Sequence, residues 1–227
     1  MPALRNILVA VRPGSADAHP LQSARALAKK AGARLTVLSV PPVAIPAIEI
    51  AREAETRGVD LIVLGRDLPA QTDLRRGGST VEGTVRRARV PCLLLPRGPV
   101  AFHSLLAAVD DGPHAHDVVA AALLVGRVFD AAVRAVRVEE PVLAGAPAAR
   151  AADAMPSPGY APAAEIEAIV RQGDPVSEVL QVIRDEGADL LVLGHPRGGP
   201  VSAHATSAVG ARLLLRAPCA VLTVPIA

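Results

Sequence analysis

The chain has 227 residues, 51% hydrophobic but only 1% aromatic, with 24 basic side chains against 22 acidic ones and a formal net charge of +2. That length suits one large domain or two small ones, with a core of Leu, Val, Ile and Ala. The lack of aromatic platforms and of a basic stripe argues against nucleic-acid binding, and no apolar run approaches the ~20 residues that span a bilayer.

The opening MPALRNILVAV runs straight into a strand pattern with no signal peptide ahead of it, so a cytoplasmic location is expected. Residues 6–12 are a short apolar run, the mark of a buried strand. Residues 17–31 place Leu21, Ala24, Leu27 and Ala28 at helical spacing, and Gly32 follows as a C-terminal stop. LTVLSV (35–40) is a second strand, residues 46–57 a helix closed by Gly58, and DLIVLG (60–65) a third strand. Then comes GRDLPAQTDLRRGGST (65–80), a glycine-bearing loop ending in Ser-Thr, with a helix expected over 79–89. A strand, such a loop and a helix start are where a parallel α/β protein holds a phosphate. PCLLLP (91–96) reads as the next strand. Arg75-Arg76 and Arg86-Arg87 are short pairs on solvated faces. Cys92 and Cys219 lie inside apolar runs and read as buried thiols.

The same order then returns at 104–110, 114–128, 132–138, 175–186, 189–194, 205–216 and 219–225. ILVAVRPG (7–14) matches LLAAVDDG (105–112), and Val40 matches Val138, at an offset of 98 residues. VDLIVLG (59–65) matches ADLLVLG (188–194) at an offset of 129, which also relates Pro46 to Pro175 and Ala88 to Ala217. The chain is therefore an internal repeat, with units expected at 1–98 and 99–227, and the first unit lacks 31 residues between Val40 and Pro46. Those residues correspond to an Ala/Pro-rich insert, 139–164, followed by an extra strand at 165–171. Alternating strands and helices mean a parallel sheet covered on both faces. Losing a strand costs least at a sheet edge.

A duplicated unit carrying GRDLPAQTDLRRGGST after its fourth strand, with VDDG ending the first strand of its second copy, resembles the universal stress protein family over nearly the whole chain. The resemblance implies an α/β fold: two tandem flavodoxin-like sandwiches of the adenine-nucleotide α-hydrolase type, each with strand order 3-2-1-4-5, the first lacking an edge strand. It also implies a nucleotide loop of the form Gly-x2-Gly-x9-Gly-Ser/Thr and an Asp at the end of the first strand. In the first half Gly65, Gly78 and Ser79 match that loop and Thr80 follows, while Leu68 replaces the second glycine and Arg12 replaces the Asp. In the second half Asp110 is present, with Gly112 beside it and Val138 at the position that lies against the base; Val40 is its first-half counterpart. There the loop reads GHPRGGPVSAHATSAV. Gly194 and His195 open it, Arg197 and Ser207-Ala208 replace the other motif residues, and a shifted register placing Arg197, Gly198 and Gly199 on the family's Arg-Gly-Gly is equally open.

Unpaired N–H groups and the helix dipole favour anions at both helix starts, and Arg66, Arg75, Arg76 or Arg197 are candidates for charge-assisted contacts. The implied ligand is ATP or a related adenine nucleotide, with Mg²⁺ carried in through Asp110 or Asp111, and the implied role is a stress-response sensor. Adenine and ribose would lie near Val138 and Asp110 and the phosphates on the loop after Gly194, with a weaker anion site at Gly65, Gly78, Ser79 and Thr80. A second reading is a nucleotide-free interaction protein working through its assembled face or the 139–164 insert. A third is a slow ATP hydrolase in which His195 or Asp111 positions water. In DDGPHAHD (110–117) the two His are two residues apart at a helix start, which suits a polar cap rather than a metal site. Ser79, Thr80 and Ser207 have no His–carboxylate partner motif, and there is no Gly-x-Ser-x-Gly, Walker loop or Cys-x-x-Cys, so a dedicated enzyme is not supported. The family pairs last strands antiparallel between domains, so CLLLP and AVLTVP imply an intramolecular pseudo-dimer, with homodimerisation open.

Overall fold

A computed structural model of the chain describes residues 4–13, 18–40, 46–66, 80–98, 100–139, 166–196 and 205–226. The order is β1 (Asn6–Val11), α1 (Ala18–Ala31), β2 (Arg34–Ser39), α2 (Pro46–Thr56), β3 (Leu61–Gly65), α3 (Thr80–Arg87), β4 (Cys92–Leu95), β5 (Ser104–Val109), α4 (Ala115–Phe129), β6 (Ala132–Glu139), β7 (Glu167–Gln172), α5 (Pro175–Asp185), β8 (Leu190–Pro196), α6 (Ala205–Arg216) and β9 (Ala220–Ile226). The expected strand at 165–171 is β7. The insert beyond Glu139 lies outside the described residues.

All nine strands form one sheet, in the order β2-β1-β3-β4-β9-β8-β5-β6-β7. Counted within its own half, the β5–β9 part has the order 3-2-1-4-5, and the first half has the same order without the outermost strand. Every pairing inside a half is parallel. The pairing between the halves is antiparallel, with Cys92 opposite Thr223, Leu93 opposite Leu222 and Leu94 opposite Val221. Strands of the first half therefore end at one rim of the sheet and strands of the second half at the other.

Central strands such as LIVLG and LLVL are apolar without alternation because both their faces are covered. On one face Ile50, Val85, Val179, Ile183 and Leu213, from α2, α3, α5 and α6, pack in a single core. On the other, Ala24 and Leu27 of α1 and Val118, Ala121 and Val125 of α4 form the second core. Both cores run across the seam. Lys30 of α1 adds a contact there, donating to the Phe129 carbonyl at 2.9 Å and lying 5.0 Å from that ring's centroid. No described helix is long and apolar enough to cross a membrane.

The repeat is visible in polar contacts that the sequence comparison did not single out. Asp60 accepts from the Arg5 and Asn6 backbone N–H groups, both at 2.8 Å. Asp189 accepts from those of His103 and Ser104 at 2.7 and 3.2 Å. Each carboxylate fastens the start of a half's first strand to the start of its neighbour.

Candidate functional site

The rim of the second half is built around β5, which is flanked by β8 and β6. The last paired residues are Val109 with Arg137 on one side and Ala108 with Leu193 on the other. One residue past the strand, Asp110 thus has Val138 beside it on β6 and His195 beside it on β8. In a parallel α/β sheet the crevice at the carboxyl ends of such strands is where ligands bind. Asp110 is exposed, and its Oδ1 accepts from the Gly112 N–H at 3.0 Å, a turn that holds the carboxylate at the strand end. A Cβ on Gly112 would come within 2.8 Å of that oxygen, so a side chain there would make the carboxylate shift. Val138 is half-buried and packs on the core.

Asp111 is already engaged. Arg137 Nη1 donates to it at 2.6 Å, and Nη2 donates to Glu139. The Asp111 side chain stays 67% exposed in that pair. His114 occupies the N-cap of α4 with no side-chain cap bond, so the expected polar cap is not made by its imidazole. His114 instead lies 3.4 Å from Asp117, and His116 Nδ1 lies 2.8 Å from the Pro113 carbonyl. Among the described residues no three His, Cys, Asp or Glu side chains are grouped to hold a metal.

Gly65 ends β3, and Gly194 holds the equivalent position two residues before the end of β8. A Cβ on Gly65 would lie 2.8 Å from Cγ of Pro20 in α1. One on Gly194 would lie 3.2 Å from Cγ2 of Val118 in α4, and Pro20 and Val118 are themselves repeat equivalents. Both glycines thus let a helix lie close on a strand end, a packing demand that the loop motif alone did not reveal. The residues after them face the opposite core. His195 has a buried Nε2 without a partner among the described residues. Burial lowers its pKa from the usual histidine value, and Arg86 of α3 lowers it further.

Arg66, the counterpart of His195, corrects an expectation. It is not available to a phosphate: only 4% of it is exposed. Its guanidinium donates to the carbonyls of Leu214, Ala217 and Cys219, across the seam. Elsewhere on the first-half rim Val40 is buried, its N–H donating to the Val11 carbonyl at 2.9 Å, and Thr80 is exposed at the start of α3. Arg12 is exposed where the second half has Asp110. Leu68, Arg75, Arg76, Gly78, Ser79, Arg197, Gly198 and Gly199 lie outside the described residues. Ser207 is in the first turn of α6, and its side chain is likewise outside them.

A sequence profile described as the Universal stress protein family matches residues 101–225. The chain belongs to the universal stress protein family. Solved structures agree on the fold along almost the full length. A universal stress protein from Archaeoglobus fulgidus aligns over 98% of this chain and 86% of its own at 16% identity and a TM-score of 0.65. A putative universal stress protein from Pseudomonas aeruginosa aligns over 98% of this chain and 94% of its own, at 14% identity and the same TM-score of 0.65. A universal stress protein in complex with cAMP aligns with 55% of this chain and 97% of its own, at 22% identity and a TM-score of 0.41, a degree of likeness that carries no argument for the present chain. A comparison with curated protein sequences finds no match.

Proposed function

We propose that this universal stress protein binds ATP or a related adenine nucleotide on the rim of its second half and acts as a stress-response sensor. The observation that carries the reading is Asp110 standing exposed between Val138 and His195 at the carboxyl ends of three adjacent strands. Asp110 supplies the acceptor for a ribose hydroxyl, and Val138 an apolar wall for the base. The N-terminus of α6 favours phosphate through its unpaired N–H groups and dipole. The first half, with Arg12 in place of the Asp, is the weaker site for an anion at Gly65, Gly78, Ser79 and Thr80. We read residues 1–98 and 99–227 as two domains of the family fused into a pseudo-dimer through β4 and β9.

The test is to purify the protein gently, denature it and identify released nucleotide by mass spectrometry. Adenine nucleotide near one per chain is expected, lost in Asp110→Ala and kept in Gly78→Val. The reverse pattern would move the site to the first half. If nothing is released, ATP at 100 times its Kd should still stabilise the chain by ~2.7 kcal/mol. No release and no shift in Tm with millimolar ATP would overturn the reading and favour a nucleotide-free interaction protein.

A further inference from the structure

The buried cation at the seam is spent on α6 and its link to β9. Arg66 donates to the carbonyls of Leu214, Ala217 and Cys219 at 2.5, 2.7 and 2.6 Å, and among the described residues it meets no carboxylate. Those oxygens belong to the last turn of α6 and its link to β9. The final carbonyls of a helix have no intrahelical donor, and the negative end of the helix dipole favours a cation there. A guanidinium forks to several acceptors at once, which an ammonium does not do with the same fixed geometry. The acceptors lie 148 to 153 residues further along the chain, in the other half.

The opposite side of the seam is built differently. The repeat places His195 where the first half has Arg66, and its Nε2 is buried without a partner among the described residues. The far end of α6 is therefore braced by a three-bond fork, and His195 makes no such fork on α3 among the described residues.

We propose that Arg66 is a positioning residue for the anion site of the second half. Anchored directly after β3, it fixes the C-terminal end of α6, and so sets where that helix and its first turn stand against β8. The first half thereby becomes a working part of the second half's site. This rests on the nucleotide reading for its consequence, but the placement of α6 can be tested without it.

The experiment uses the full chain with Arg66→Met, which keeps bulk and removes the donors, and measures backbone hydrogen exchange together with ATP affinity by calorimetry. Local openings are resolved by exchange independently of global unfolding. The expected result is about a tenfold loss of protection confined to α6 and the start of β9, with β5, β6 and β7 unchanged, and a rise of about tenfold in the Kd for ATP. Methylguanidinium added to an Arg66→Ala chain should restore α6 protection, whereas tetramethylammonium should not. Should the Met variant fail to fold, Arg66→Lys keeps the charge and loses the fork, and should show the same local loss in weaker form. Protection lost evenly over the whole chain, or α6 protection equal to that of the parent, would overturn the proposal. A parent that takes up no ATP sinks the nucleotide reading alone and leaves the exchange result to decide the role of Arg66.

Discussion

His195 is held in an environment that resists protonation. Burial is the larger cause and the Arg86 guanidinium the smaller, and both lower its pKa. The unfolded chain takes up a proton at this position as pH falls through about 6.5, while the folded chain resists. The stability contributed by neutral His195 is thus fully present above that value and is lost as pH falls towards the lower folded pKa. Tm measured from pH 7.5 to pH 5.5 should fall more steeply for the parent than for His195→Gln, and equal slopes would show that the imidazole is not the titrating group. The thiols behave as their apolar settings in the sequence suggest, with burial pushing Cys92 up to about 12 and Cys219 up to about 11. Arg66 was not legible in this way. In sequence it sits among loop residues beside a glycine, and nothing local reports three carbonyls supplied by the far half.

At the scale of elements, the sequence was easiest to read where one physical rule dominated. Unbroken aliphatic runs marked β3 and β8, and glycines marked the ends of α1 and α2, where Gly32 and Gly58 have φ of 64° and 57°. α4 ends in the same left-handed geometry without a glycine: Asp130 has φ 56° and stands at the repeat position of Gly32. A side chain there is strained, so Asp130→Gly should stabilise the chain by about 1 kcal/mol. Chemical denaturation with an unchanged m-value would check it, and a lower midpoint would mean that the carboxylate has a compensating partner. Less legible were the strand-end glycines. Gly65 and Gly194 were read as loop residues for a phosphate, yet each also lies under a helix side chain, Pro20 or Val118, brought close only by the fold, with the tighter contact at Gly65. Asp110, Val138 and Gly194 were named through the family resemblance, and they fall near neighbouring strand ends of β5, β6 and β8. The site's internal pairings, such as Arg137 with Asp111, depend on side-chain directions that spacing does not encode.

At the scale of the whole molecule, the two halves share both of their described cores. One core joins Ile62 and Val85 to Leu191 and Leu213, and the other joins Leu61 and Leu27 to Leu190 and Val125. Repeated units that share cores and a β ladder should unfold together. Calorimetry is expected to give one transition whose van't Hoff and calorimetric enthalpies agree. Two resolved transitions would mean that the seam yields before the halves do. The pairing of the two last strands was implied by the family resemblance, but the extent to which each core passes through the seam was not legible, because contacts between sequence-distant faces leave no periodic trace.

The antiparallel register of β4 on β9 has a consequence for valency. It turns the two halves head to tail, so the strand ends at Gly65 and Gly194 look out from opposite rims of the sheet. Ligands held at both would sit back to back, beyond each other's reach.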